Sequence, residues 1–121
     1  MIFNTQQSNT RNISRALFTA LAAATTSFAA IAAPAYSEWG SVVALEGGWT
    51  ANTMSLHHSA PLANPDGCPV TNAGYATNPN DSGKNLFHTM MLSAFLNRKE
   101  MAVLVSGCVY GKPHIIAVSV R

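Results

Sequence analysis

The sequence predicts a β-rich α+β domain, a small antiparallel barrel or sheet with one helix between its third and fourth strands. Three observations predict it. Apolar residues alternate with period two over 41–57 and again over 114–120; one stretch, Lys84–Asn97, carries helical spacing; and two cysteines, Cys68 and Cys108, enclose that stretch.

The N-terminal part differs in composition from the rest. Arg11 and Arg15 precede an uncharged run of small and apolar residues, Ala16 to Ala33, which is the layout of an export leader. Two alanine patterns suit cleavage, Ala30-Ile31-Ala32 and Ala33-Pro34-Ala35, and both start the mature chain between Ala33 and Tyr36. The second is favoured, which makes 1–35 a signal peptide and 36–121 a single domain, exported to the periplasm or secreted. A membrane anchor is the rival reading. A spanning helix needs about 20 apolar residues, whereas this run is shorter, holds Thr19, Thr25, Thr26 and Ser27, and has no positive flank downstream.

Arg11 and Arg15 also account for the whole formal charge of +2. Without them Glu38, Glu46, Asp66, Asp81 and Glu100 balance Lys84, Arg98, Lys99, Lys112 and Arg121. A neutral surface with no basic stripe offers little to a phosphate backbone, so nucleic acid is excluded as a partner.

A mature chain of about 85 residues buries only a modest share of its surface and profits from a staple. Two cysteines allow one pairing, Cys68 with Cys108, and an exported location permits oxidation. Closing that loop restricts the unfolded chain by about 4 kcal/mol in the loop-entropy description. No Cys-x-x-Cys motif accompanies them, so a redox-catalytic thiol has no support.

Ser41 to Glu46 reads as the first strand, and Gly47-Gly48 as a two-residue hairpin turn returning the chain through Trp49 to His57. From Ser59 to Asn80 the composition shifts to Pro, Asn, Asp and Gly, a surface excursion with a short strand expected around Gly74 to Thr77. After Pro79, Asp81 or Ser82 is placed to cap the first turn of the helix. Leu86, Met90 and Ala94 form one row and Phe87, Met91 and Phe95 the next, a broad stripe that suits packing on a sheet. Arg98 and Lys99 close the helix at its carbonyl end. Met101 to Val105 reads as a buried strand, followed by Ser106-Gly107-Cys108, a turn around Gly111 to Pro113 and a last strand with Ile116, Val118 and Val120 on one face. The order is that of an OB-like barrel, in which a helix between the third and fourth strands plugs one end; an open antiparallel sheet under one helix is the alternative.

These residues resemble a family, the small exported bacterial proteins of OB-like fold related to the receptor-binding B subunit of subtilase cytotoxin. The resemblance covers about the last 82 residues, the part left after leader removal. It is carried by Trp39-Gly40-Ser41-Val42-Val43, Asp66-Gly67-Cys68, Gly83-Lys84, Met91-Leu92-Ser93-Ala94, Val103-Leu104-Val105 running into Ser106-Gly107-Cys108, His114-Ile115-Ile116 and the closing Val118-Ser119-Val120-Arg121. Two positions depart from it: Asn97 stands at the helix exit where such proteins often have glycine, and Ser106-Gly107-Cys108 is a tighter approach to the second cysteine. Residues that would contact a host glycan do not carry over, because the loop Ser59–Asn80 has no counterpart. The resemblance implies the scaffold and, through closed rings with helices lining the centre, self-association through Lys84–Asn97, against a monomer whose helix caps its own core.

Chemistry is sparse. His57 and His58 are adjacent and point to opposite faces of a strand, His88 lies on the helix and His114 on the approach to the last strand, so no recognised metal-ligand spacing is present. Ser55 and His57 alternate on one face but lack a convincing third partner, the five acids are scattered, and Gly47-Gly48 is not followed by a helix as a phosphate loop requires. Catalytic, metal and cofactor residues are therefore assigned to none. Aromatic rings at loops and strand ends are the better hint, since exposed rings stack on sugars and peptides. Tyr75 and Tyr110, beside glycines and near the cysteines, together with Trp49, are the candidate ligand contacts. The reading is a non-enzymatic exported binding module, taking a cell-surface glycan or protein and oligomeric in the sharper form; the alternative is a small periplasmic enzyme or an inhibitor of an exported hydrolase.

Overall fold

The computed structural model describes residues 24, 25, 27, 30–48 and 50–121; most of the expected leader segment 1–35, and Trp49, lie outside the described residues. The elements in chain order are β1 (Ala35–Tyr36), β2 (Gly40–Gly47), β3 (Met54–His58), β4 (Tyr75–Ala76), α1 (Lys84–Asn97), β5 (Glu100–Val109) and β6 (Lys112–Val120). They form a six-stranded mixed sheet with one helix. The helix follows the fourth strand, which corrects its expected place between the third and fourth. The extra strand is β1, where Ala35 and Tyr36 pair with Val105 and Leu104. Two isolated residues carry no periodicity, so only the edge of β5 reveals them as a strand. Ser37 continues that pairing: its amide donates to the Val103 carbonyl at 2.8 Å and its hydroxyl accepts from the Val103 amide at 3.0 Å.

β5 pairs antiparallel with β6 along most of its length and, on its other edge, with β1 and with Gly40-Ser41 of β2. β2 pairs with β3, β3 with β4, and β4 meets β6 in parallel at Ala76 and His114. A bulge at Val43 interrupts the β2–β3 register between Val42 and Ala44. The core lies between the sheet and the helix. Leu56, Tyr75, Met91, Ala94, Met101, Val103, Val105 and Ile115 are its buried members. Alternation explains the choice, since Met101, Val103 and Val105 share one face of β5.

The helix has the predicted span but a narrower packed face. Met91 and Ala94 are buried, Phe87 packs against the core, and Leu86 and Phe95 at the ends of the predicted rows are exposed. Leu92 and Leu96 are exposed as well, so apolar residues occupy more than one side. Its start also differs from expectation. Gly83 holds the cap position without a side-chain bond, because Asp81 turns instead to His114, 2.5 Å from its Nε2. At the other end Arg98 adopts a left-handed conformation, φ 53°, and the Lys99 amide donates to the Ala94 carbonyl. Among the described residues no helix is long and apolar enough to cross a membrane.

Cys68 and Cys108 form a disulfide with a Cα–Cα distance of 5.7 Å, compatible with an oxidising compartment. Both predicted turns are relocated. The β2–β3 connection is the longer loop 48–53, closed by the Gly48 amide donating to the Thr53 carbonyl at 2.9 Å. At Gly48 a Cβ would lie 2.1 Å from Thr53 Cγ2, so a side chain there would have to displace Thr53. The β5–β6 turn is Tyr110-Gly111, with φ 51° and 73°, and Pro113 lies inside β6. Two successive positive φ values make the tight hairpin turn that matches strand twist.

Met91 and Leu96 test how unevenly the helix is held. Met91→Ala empties a fully buried site and is expected to cost about 2–5 kcal/mol in urea unfolding. Leu96→Ala removes a side chain from a 69% exposed position and should stay within about 0.5 kcal/mol. Equal losses would contradict this packing.

Candidate functional site

The two hairpins of β2–β3 and β5–β6 lean toward each other and frame a cleft of about 400 Å³. One wall is Glu46, Gly47, Gly48, Thr50, Ala51 and Thr53, the floor is Ser55 and Ala76, and the opposite wall is Tyr110 and Lys112. Strand alternation explains the floor. Leu56 points into the core and is fully buried, which turns Ser55 and His57 to the outward face of β3. Register then brings Glu46 beside Ser55 and Ala44 beside His57.

Two polar contacts organise this face. The Lys112 ammonium donates to Ser55 Oγ at 2.5 Å, part-buried, across a sequence separation of 57. Glu46 Oε1 lies 3.5 Å from His57 Nε2. The cleft thus presents an ammonium held in place on one wall and a largely exposed carboxylate on the other, with hydroxyls of Thr50 and Thr53 and the Tyr110 ring at the rim. A cavity of this size and polarity suits a ligand of one or two sugar or amino-acid units.

The three candidate aromatic contacts part company. Tyr110 lines the cleft and is 56% exposed. Tyr75 is 1% exposed, which corrects its expected place on the surface. Its ring completes the core and its hydroxyl accepts from the Ala63 amide at 2.7 Å; burial pushes the phenol up and that hydrogen bond opposes the push. Glycine on its N-terminal side signalled a turn but not the direction of the ring. Trp49 lies outside the described residues. Trp39 is stacked under Arg121, whose guanidinium sits 4.3 Å from the ring centroid.

Lys112 and Glu46 are the cleft residues that sequence reasoning missed. Neither belongs to a motif; an isolated lysine just past a hairpin glycine was the sole available signal. The histidines go to separate places: His57 beside Glu46, His58 Nε2 2.9 Å from the Met101 carbonyl, His114 to Asp81, and His88 Nε2 2.6 Å from Thr77 Oγ1. Among the described residues no three His, Cys, Asp or Glu side chains are grouped to hold a metal.

His88 closes a buried polar chain beneath the cleft. Thr77 is fully buried; its hydroxyl accepts from the Met54 amide at 2.9 Å, and its carbonyl accepts from Thr53 Oγ1 at 2.5 Å. With its proton on Nδ1, the His88 ring accepts the Thr77 hydroxyl proton at Nε2. Burial, and then the charge of Lys84, hold the His88 pKa below its usual value.

Comparison with known proteins found no matching family model, no matching curated protein and no matching solved structure.

The His88 shift has a defined sign. A ring whose folded pKa is depressed binds fewer protons folded than unfolded, so its contribution is complete above about pH 6.5 and is lost as pH falls from there through the lower folded value. Urea unfolding from about pH 7 to 5 should therefore cost the wild type more stability than His88→Gln, which cannot titrate. Parallel loss in both proteins would remove His88 as the cause.

Proposed function

We propose that this chain is an exported, non-enzymatic binding module of OB-like fold, akin to the subtilase cytotoxin B-subunit scaffold, which takes a cell-surface saccharide or a surface protein in the cleft between its two hairpins. The cleft itself carries the reading. OB-like barrels bind oligosaccharides and oligonucleotides on the face between the first hairpin and the last one, and a cleft between the β2–β3 and β5–β6 hairpins, lined among others by Glu46, Thr53, Ser55, Tyr110 and Lys112, supports that reading. The strand circuit supports the barrel: from β5 through β2, β3, β4 and β6 the pairings lead back to β5. Balanced charge disfavours nucleic acid as the ligand. Tyr110 would supply a stacking face, and the Lys112–Ser55 pair and Glu46 a donor and an acceptor for hydroxyl groups. The disulfide fits an oxidising destination.

Self-association belongs to the same proposal. Leu92, Phe95 and Leu96 leave apolar surface on the helix, and a second copy would cover it.

Two measurements test this. On a glycan array the oxidised mature protein should retain at least one saccharide class, and Tyr110→Ala and Lys112→Ala should each weaken retention about tenfold or more; wild-type protein that retains no glycan and no surface protein would overturn the binding reading. In light scattering the same protein should exceed the monomer mass and Leu92→Glu with Leu96→Glu should return it to monomer; a monomeric wild type would overturn the assembly.

A further inference from the structure

The end of the β5–β6 hairpin is weakly secured by its own ladder. Between Val105 and Cys108 the register shifts, with Gly107 in a left-handed conformation, φ 71°. Beyond it Cys108 pairs with Pro113, which has no amide proton to give. Yet this tip carries Tyr110 and Lys112, one whole wall of the cleft.

What secures the tip lies behind it, in the loop Asn64–Val70. Asn64 closes that loop on itself, accepting from the Cys68 amide at 2.7 Å and donating to the Cys68 carbonyl at 3.0 Å. The Ala63 amide anchors it to the buried Tyr75 hydroxyl. From this strap three ties reach the tip. Asp66 Oδ2 accepts from the Gly107 amide at 2.6 Å, the Cys68–Cys108 bond follows, and the Val70 amide donates to the Gly111 carbonyl at 2.9 Å. Val70 packs so close that a Cβ on Gly111 would lie 2.9 Å from its Cγ2. The core under β5 and β6, Met101, Val103, Val105 and Ile115, contains none of the three ties.

We infer that the Cys68–Cys108 bond is a redox gate on the cleft. Oxidised, it clamps the tip to the strap and holds Tyr110 and Lys112 in place. A dithiol reductant opens it: two electrons and two protons pass to the sulfurs, leaving Cys68 and Cys108 as thiols and the reductant as a cyclic disulfide. Three hydrogen bonds then remain, Gly107 to Asp66, Val70 to Gly111 and Lys112 to Ser55, each worth about 1–3 kcal/mol, and the segment 106–112 opens locally while the core stays folded. The site is thereby formed only after oxidation, and a reduced chain inside the cytosol carries no assembled cleft. That consequence rests on the cleft being the binding site; the gate itself does not.

Amide hydrogen exchange on the mature protein, in the cold, tests the gate without a ligand. Dithiothreitol should speed exchange at 107–112 about tenfold or more relative to the oxidised protein, leaving 101–105 and 115 the better protected of the two under the same reducing conditions, and reoxidation should restore protection. Asp66→Asn, with the disulfide intact, should give a smaller increase confined to the same segment. Unchanged exchange at 107–112 on reduction would overturn the gate, and so would tip and core opening together, which would make the bond a clasp on the whole fold. Loss of glycan retention by the oxidised protein bears on the binding reading alone.

Discussion

β5 is the strand on which the rest of the molecule depends, because it carries the long ladder to β6, pairs on its other edge with both β1 and β2, and buries one face. Met101, Val103 and Val105 supply the apolar surface that Met91 and Ala94 of the helix cover. Burial of that face drives the association, and the ladder to β6 satisfies the backbone groups taken out of water with it. Ser37 shows how far the constraint reaches: a short polar residue becomes buried because both its amide and its hydroxyl complete the β5 edge at Val103.

Where β5 leaves the core its character changes. Past Val105 the ladder bulges at Gly107, and the chain is held from outside by the strap Asn64–Val70 instead of from inside by packing. The small protein thus divides into a packed body and a tethered tip, and the cleft lies where the two meet. Polar groups can face each other there because the strand's outward positions, Ser55 and His57, have no core to fill. The helix shows the complementary tendency: its sequence is apolar around more of its circumference than one small sheet can cover, so Leu92, Phe95 and Leu96 face outward.

Much of the fold was legible along the chain. Helical spacing located Lys84–Asn97, alternation located β2, β3 and β6, and a composition shift marked the loop before the helix, with Tyr75–Ala76 as its short strand. Turn lengths were less legible. Gly47-Gly48 carried the signature of a two-residue turn, but the Gly48–Thr53 bond closes a longer loop. Asp81 had the right position for a cap and found a stronger partner in His114. Of the candidate site, Tyr110 was legible from its neighbouring glycine, whereas Tyr75 bore the same signal and lies inside. A glycine marks where the backbone bends, and the side chain beside it points wherever packing leaves room.

By itself the sequence determined the local properties: which stretches repeat every two or every three to four residues, how the charges balance once Arg11 and Arg15 are set apart, and that two cysteines can pair in one way only. Those properties follow from backbone geometry and composition, which act over a few residues. Tertiary structure alone decided that Lys112 meets Ser55, that Asp66 reaches Gly107 and that Ala35-Tyr36 becomes a strand. Each of these depends on strand register and on the closing of long loops, and a contact between residues 40 or more apart leaves no period in the chain for a reader to find.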